Sequence, residues 1–204
     1  MKVELRNDSV HIEGYVNVVE RDSKVINDFQ YGKFIERVQA KTFQRALEKQ
    51  NNVDVLFNHL ENRKLGSTKD GTLNLHEDNI GLYASFDTSD AEVVDKAENG
   101  KLTGWSFSFR ALKSKWEDGD NGIKKRLLED IILPEVSILS VTPAYIATSV
   151  NVEQRNSENT LLELRNFDDI TLEDRRIKEK HKDLPNYNAI KSKIEIIKLK
   201  QLGY

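Results

Sequence analysis

The sequence predicts a mainly β protein with flanking helices, followed by a charged, helical C-terminal tail. Short stretches of alternating apolar and polar residues recur from residue 10 to about residue 150, with only two helical patterns between them. Many short strands at close spacing are typical of a sandwich or a small closed barrel. The pattern changes after Asn151, where a polar stretch precedes a heavily charged region. We therefore predict a body at residues 1–150, a linker at residues 151–160 and a tail at residues 161–204.

The clearest strand pattern runs from residue 104 to residue 111 and alternates without a break. Side chains of a strand point to opposite faces in turn. One face is aromatic and the other polar: Trp105, Phe107 and Phe109 against Ser106, Ser108 and Arg110. We expect the aromatic face to lie in the core. The polar face is either an ordinary exposed surface or the location of a nucleophilic serine.

Further elements follow from the same kind of pattern. Strands are predicted at residues 10–20, 34–38, 53–59, 72–76, 80–86, 124–133 and 135–141. Short helices are predicted at residues 42–49 and 91–98, the second between N-cap residues and the pair Asn99-Gly100. Gly14 indicates a bulge or a close approach, and Pro134 is expected to break a strand. Residues 21–33 and the turn signals near Gly66 predict loops.

The C-terminal tail has a helical pattern of its own. Ile190, Ile194 and Ile197 form a narrow apolar stripe at i, i+4 and i+7, and Pro185 interrupts any longer helix. We expect one or two amphipathic helices that dock on the body, form a homodimer or bind a partner. The sequence leaves these three alternatives open.

Composition excludes several classes of function. The chain has 204 residues and a net charge of −3, so no basic field would attract nucleic acid. It contains no cysteine, which excludes disulfides, thiolate zinc sites and cysteine nucleophiles. Its four histidines lack metal-ligand spacing, so we expect no metal and no cofactor. Because neither a membrane-length apolar run nor a signal peptide is present, we expect a soluble, cytoplasmic protein with no membrane partner.

A serine nucleophile needs a base and a group that orients the base. His59 ends a predicted strand and is the natural base for a hydroxyl on the polar face of residues 104–111. Glu135 follows Pro134 at the start of an apolar strand and is a candidate for the orienting acid. Spacing alone is a weak signal for such a triad, and it does not choose between Ser106 and Ser108.

A series of short motifs gives a more specific signal. In order, they are Ile12-Glu13-Gly14-Tyr15, Phe34-Ile35-Glu36, Thr42-Phe43-Gln44-Arg45-Ala46-Leu47, Leu56-Phe57-Asn58-His59, Leu65-Gly66, Gly81-Leu82, Gly100 to Phe109, and Glu135-Val136-Ser137-Ile138-Leu139 to Pro143-Ala144. Together they cover about residues 10–150. This set resembles the phage prohead (procapsid maturation) protease family, which is similar in fold to the herpesvirus assemblin proteases.

The resemblance implies a small closed β-barrel of the assemblin type and assigns roles to three residues. It makes His59 the base, Ser106 the nucleophile and Glu135 a plausible third member. Two positions depart from the family pattern: Leu60 replaces the usual acid after the histidine, and Ser108 replaces the usual glycine. Since Ser108 shares the face of Ser106, it remains an alternative nucleophile.

The resemblance also implies a function. The enzyme would be a serine endopeptidase, active in the host cell cytoplasm inside the assembling procapsid. It would remove scaffold segments of the phage major capsid protein and would also cut itself. Arg110 would either support the oxyanion or be a solvated surface arginine. Two alternatives remain: a non-catalytic scaffold or assembly chaperone acting through the tail, and a β-barrel binding module.

Overall fold

A computed structural model describes residues 1–28, 31–119, 122–140, 163–167 and 171–175. The predicted linker at residues 151–160 and the isoleucine stripe at residues 190–197 lie outside the described residues. The described part is mainly β, as predicted, and also contains two helices.

The elements of the described part follow one another along the chain as β1 (Lys2–Leu5), β2 (Val10–Val18), β3 (Ile26–Asp28), β4 (Gly32–Val38), α1 (Thr42–Lys49), β5 (Asp54–Phe57), β6 (Leu60–Ser67), β7 (Leu73–Glu77), β8 (Gly81–Thr88), α2 (Ala91–Glu98), β9 (Gly104–Asp118), β10 (Lys124–Leu139), β11 (Glu163–Phe167) and β12 (Thr171–Asp174).

The strands form two sheets over a shared core. One sheet has the order β12-β1-β2-β8-β7, and the other has the order β11-β9-β10-β4-β3 with β5 paired to β10 and β6 paired to β5. Apolar residues of both sheets and both helices make one buried cluster, which includes Ile12, Phe43, Val93 and Phe107. The prediction of a small closed barrel is wrong for the described residues, because both sheets end on edge strands. Alternating residues at close spacing predict a mainly β body but do not predict whether the edges of the sheets meet.

Both predicted helices are confirmed. Helix α1 buries Phe43 and Ala46, which is the apolar stripe expected from their spacing. Helix α2 begins after Asp90, whose carboxylate accepts hydrogen bonds from the backbone N–H groups of Glu92 and Val93. This is the N-cap arrangement that satisfies the free amides of a first helical turn.

Pro134 does not end a strand. The two strands predicted at residues 124–133 and 135–141 are one strand, β10, and its pairing with β9 shifts register between Ile132 and Glu135. Proline has no N–H to donate, and a bulge tolerates that loss within a paired strand. The shift sets the partners of the following residues, so that Glu135 lies opposite Ser108 and Ser137 opposite Ser106.

Part of the region predicted as a helical tail is extended. Strand β11 pairs antiparallel with β9, and β12 pairs in parallel with β1. The charged composition of these segments indicated helix, but the edges of β9 and β1 offer backbone partners, and charged side chains are well tolerated on edge strands. These two strands therefore join the C-terminal region to the body.

Besides β11 and β12, three further strands lie where no strand was predicted: β1, β3 and β6. Strand β6 is almost entirely polar in its first half and lacks an apolar alternation. The close approach expected at Gly14 is present, because a Cβ atom there would lie 3.0 Å from the Cα of Met1. That glycine lets the N-terminus pass directly over β2.

Candidate active site

The side chains of the candidate site come from two adjacent strands, β9 and β10, and from the turn that follows β5. Strand β10 lies between β9 and β5, antiparallel to the first and parallel to the second. Its pairing places Ser137 opposite Ser106 on one side and opposite Leu56 on the other. Paired residues project from the same face of a sheet, so β9 and β10 present their serines and Glu135 on one face, next to the end of β5.

A tight turn presents the histidine. Asn58 and His59 connect β5 to β6, which pair directly across the turn at Phe57 and Leu60. Both turn residues have positive φ angles, 53° and 58°, as both central residues of a type I′ hairpin turn do. Asparagine tolerates this conformation well, whereas histidine adopts it less often. The turn bends the imidazole back over β10.

The three predicted residues form a continuous hydrogen-bonded chain. His59 Nε2 lies 2.7 Å from Ser106 Oγ, and His59 Nδ1 lies 2.7 Å from Glu135 Oε1. All three are largely shielded from solvent, and Ser106 is completely buried. The arrangement has the order of a serine-hydrolase triad: hydroxyl, imidazole, carboxylate. It can take a proton from the serine and stabilise the resulting imidazolium.

Further polar contacts hold the chain in place. The Ser137 hydroxyl donates to Glu135 Oε2 at 2.7 Å, and the backbone N–H of His59 donates to Ser137 Oγ at 3.2 Å. Asn58 exchanges two hydrogen bonds with Ser140, through its amide nitrogen at 3.0 Å and its oxygen at 2.8 Å. No role was predicted for Asn58, Ser137 or Ser140 from the sequence. Adjacency to His59 and Glu135 in the motifs was the signal that would have found the first two.

The other two predicted residues lie apart from this chain. Ser108 is buried opposite Glu135, but the hydroxyl in contact with His59 is that of Ser106. Arg110 is four residues beyond Ser106 on β9, which corresponds to about 13 Å along a strand. That separation favours the surface alternative for Arg110 over direct support of an oxyanion, and its role stays a prediction. Trp105, Phe107 and Phe109 are core residues, as predicted.

Strand β11 covers the candidate nucleophile. It pairs with β9 so that Arg165 lies opposite Phe107 and Asn166 opposite Ser106. The Ser106 hydroxyl donates a hydrogen bond to the backbone carbonyl oxygen of Arg165 at 2.8 Å. Because a hydroxyl has one proton, this carbonyl and His59 Nε2 compete for it.

A cluster of two carboxylates and two guanidinium groups adjoins this strand. Glu36 accepts a two-pronged contact from Arg165, at 2.6 Å and 2.9 Å, and Arg126 contacts Glu163 at 2.6 Å. Glu36 and Arg126 are each only 3 % exposed. Burial alone would lower the pKa of Arg165, but the carboxylates of Glu36 and Glu163 outweigh burial and raise this pKa. The two carboxylates therefore keep the Arg165 guanidinium charged away from water.

Within the described residues, no group of three or more histidines, aspartates and glutamates is placed to hold a metal ion. No helix there is long and apolar enough to cross a membrane.

Comparison with known protein families identifies a match over most of the chain. The family described as caudovirus prohead serine protease matches residues 1–163 of the chain. Neither a curated protein nor a solved structure matches the chain. The matched range contains β1 to β10, and it ends where β11 begins.

Proposed function

Since the chain belongs to the caudovirus prohead serine protease family, we propose that it is the serine endopeptidase that matures the phage capsid. Its substrates are the scaffold segment of the major capsid protein and the chain itself, within the procapsid assembling in the host cytoplasm. The hydrogen-bonded chain Ser106–His59–Glu135 is the single observation that carries this proposal.

The reaction is acyl transfer in two steps. Ser106 Oγ attacks the carbonyl carbon of the peptide bond while His59 takes the hydroxyl proton. Glu135 accepts from His59 Nδ1, which fixes the tautomer of the imidazole and stabilises its protonated form. His59 then gives the proton to the leaving amine, and an ester remains on Ser106. A water molecule, deprotonated by His59, hydrolyses the ester and restores the enzyme.

Co-expression with the major capsid protein of the same phage tests the proposal. We expect the unmodified chain to shorten the capsid protein, as measured by the mass of the products. Ser106→Ala should abolish this cleavage with the fold intact, because it removes one hydroxyl and no apolar contact. Ser108→Ala is the matched control on the same strand face and should retain substantial activity.

The two serine variants also give the contrary outcome. If Ser108→Ala were inactive and Ser106→Ala active, the nucleophile would be Ser108. If the capsid protein stayed intact with every form of the chain, the non-catalytic assembly chaperone would be the better explanation.

A further inference from the structure

Resting on the proposed function, we propose that β11 occupies the groove in which a substrate binds, and that the site selects peptides with a glutamate two residues before an arginine. The arginine is the residue that presents its carbonyl group to Ser106. Glu36 recognises the arginine, and Arg126 recognises the glutamate.

Strand β11 pairs with the edge of β9 that lies opposite β10. Strand β9 carries Ser106 and pairs with β10 along one edge, so the opposite edge is the one on which an extended peptide can pair beside the serine. Extended peptides commonly bind by adding a strand to such an edge. Strand β11 lies there, antiparallel to β9, with Arg165 and Asn166 opposite Phe107 and Ser106.

A backbone carbonyl group of β11 contacts the candidate nucleophile. Of the backbone groups in β11, the carbonyl oxygen of Arg165 is the one that accepts from Ser106 Oγ, at 2.8 Å. The peptide bond that follows an arginine therefore lies at the nucleophile. In the observed arrangement the Ser106 hydroxyl donates a hydrogen bond to this carbonyl oxygen. Strand β11 therefore occupies the proposed substrate position as an uncleaved segment of the chain.

The side chain of Arg165 is bound by groups that suit an arginine. Arg165 reaches from β11 to Glu36 in β4, and its guanidinium contacts both carboxylate oxygens. It also lies 5.2 Å above the ring of Phe109. A two-pronged contact with a buried carboxylate, next to an aromatic face, is specific for arginine. Lysine can supply the charge but not the planar fork.

The charges of the two arginines are balanced by two glutamates. Glu36 and Arg126 belong to the body, and they are 3.4 Å apart. An incoming arginine adds a second cation beside Arg126, and a glutamate two residues earlier compensates it. Glu163 fills that position and lies 2.6 Å from Arg126 and 2.9 Å from Arg165. A bound peptide must therefore supply both the arginine and the glutamate for the buried cluster to be neutral.

Cleavage of peptides by the full chain tests this specificity. The probe is a quenched fluorescent peptide with the sequence of residues 160–170, compared with peptides in which its arginine or its glutamate is replaced by glutamine. We expect cleavage after the arginine and roughly 30-fold lower kcat/KM for the arginine replacement, because one member of a buried charge pair is lost. Equal rates for all three peptides, or cleavage at another bond, would overturn the proposal.

Variants of the full chain test the occupancy of the groove. Arg165→Ala should loosen β11, and a fluorophosphonate should then label Ser106 at least ~10-fold faster. Arg175→Ala is the matched control, since Arg175 is an exposed arginine that pairs with Glu4 and Glu173 beside β12. It should label at the rate of the unmodified chain. Equal labelling rates in all three forms would contradict occupancy by β11.

A third variant separates recognition from folding. Glu36→Gln should lower cleavage of the arginine peptide and remove its advantage over the glutamine peptide. The peptide series uses the unmodified chain, so it decides the question even if a variant fails to fold. Failure of the proposed function differs from all of these results: no form would be labelled or would cleave any peptide or the capsid protein.

Discussion

One imidazole connects a hydroxyl to a carboxylate at the candidate active site, so His59 and Ser106 are expected to act as a unit. His59→Ala should lower kcat/KM about as much as Ser106→Ala, by roughly 1,000-fold or more, and the double variant should be no worse. The measurement is the cleavage rate of a peptide or of the capsid precursor. A further ~100-fold loss in the double variant would contradict a shared mechanism.

In the proposed triad Glu135 contacts His59 and would act on the serine only through it. Replacing Glu135 should therefore reduce activity less completely than replacing Ser106. Glu135→Gln keeps the size of the side chain but removes the charge that orients His59 and stabilises the imidazolium. We expect kcat to fall, but by less than in Ser106→Ala. A fully active Glu135→Gln enzyme would remove Glu135 from the triad.

The pair of Tyr83 and Glu13 gives a prediction for pH. The Tyr83 hydroxyl donates to Glu13 at 2.8 Å. Burial and this carboxylate raise the pKa of Tyr83 to about 12 from a model-compound value of 10.0. A raised folded-state pKa contributes stability that is fully present below the unfolded pKa and is lost as the pH rises through the folded value. The free energy of unfolding should therefore fall between about pH 10 and pH 12.

Tyr83→Phe is the control that isolates this group from the lysines that titrate over the same range. The difference in unfolding free energy between the unmodified chain and Tyr83→Phe should be constant from pH 7 to pH 9 and should shrink above pH 10, as measured by urea denaturation at each pH. A difference that stays constant up to pH 12 would contradict the raised pKa.

The residues with distinctive chemistry could be predicted from the sequence, whereas the residues that hold them in position could not. His59, Ser106 and Glu135 were found because a histidine, a serine and an acid at strand ends and on strand faces fit a known motif order. Ser137 supports Glu135 and His59 only because the bulge at Pro134 sets its register. Register depends on pairing between distant segments, which a single sequence does not display.

At the scale of elements, local signals were reliable and nonlocal ones were not. Both helices carry their own amphipathic or capping residues, and their bounds agree with the prediction. Strands β6 and β11 lack an apolar alternation, and they exist because β5 and β9 offer them hydrogen-bonding edges. A polar edge strand has no sequence pattern that distinguishes it from a loop or an exposed helix.

The turn between β5 and β6 determines where His59 lies, so Asn58 should affect activity as well as stability. Asn58→Ala and Asn58→Gly both lose the hydrogen bonds to Ser140, but only glycine adopts a positive φ angle freely. We expect Asn58→Ala to be less stable than Asn58→Gly by about 1 kcal/mol, as measured by urea denaturation. Both should lose roughly 10-fold or more in kcat/KM, because His59 is less well positioned. Equal stabilities would show that the turn relaxes without strain.

At the scale of the whole molecule, the mainly β character was predictable but the assembly of the strands was not. Alternation indicated a mainly β body, whereas closure into a barrel depends on which edges meet. The described edges belong to two sheets, and β11 and β12 extend those sheets with residues from beyond the predicted linker. The predicted body and the C-terminal region are thus connected by strand pairing in the described part of the chain.

Residues 1 to about 150 should nevertheless fold and retain catalytic competence without residues 161–204. Every member of the described core cluster lies between Met1 and Ile138, so a chain that stops after Val150 keeps its apolar contacts. It loses the pairing of β11 and β12, and Glu36 keeps Arg126 as a partner. Circular dichroism and cleavage of a peptide substrate are the measurements.

A chain that stops after Arg175 is the matched control for this truncation. It keeps β11 and β12 and removes the region that contains Ile190, Ile194 and Ile197. Because β11 covers Ser106, we expect the shorter chain to react faster with a fluorophosphonate than the control does. An insoluble or unfolded chain of 150 residues would show that the C-terminal strands are required for folding. A folded and active one that no longer enters procapsids would assign partner binding to the removed region.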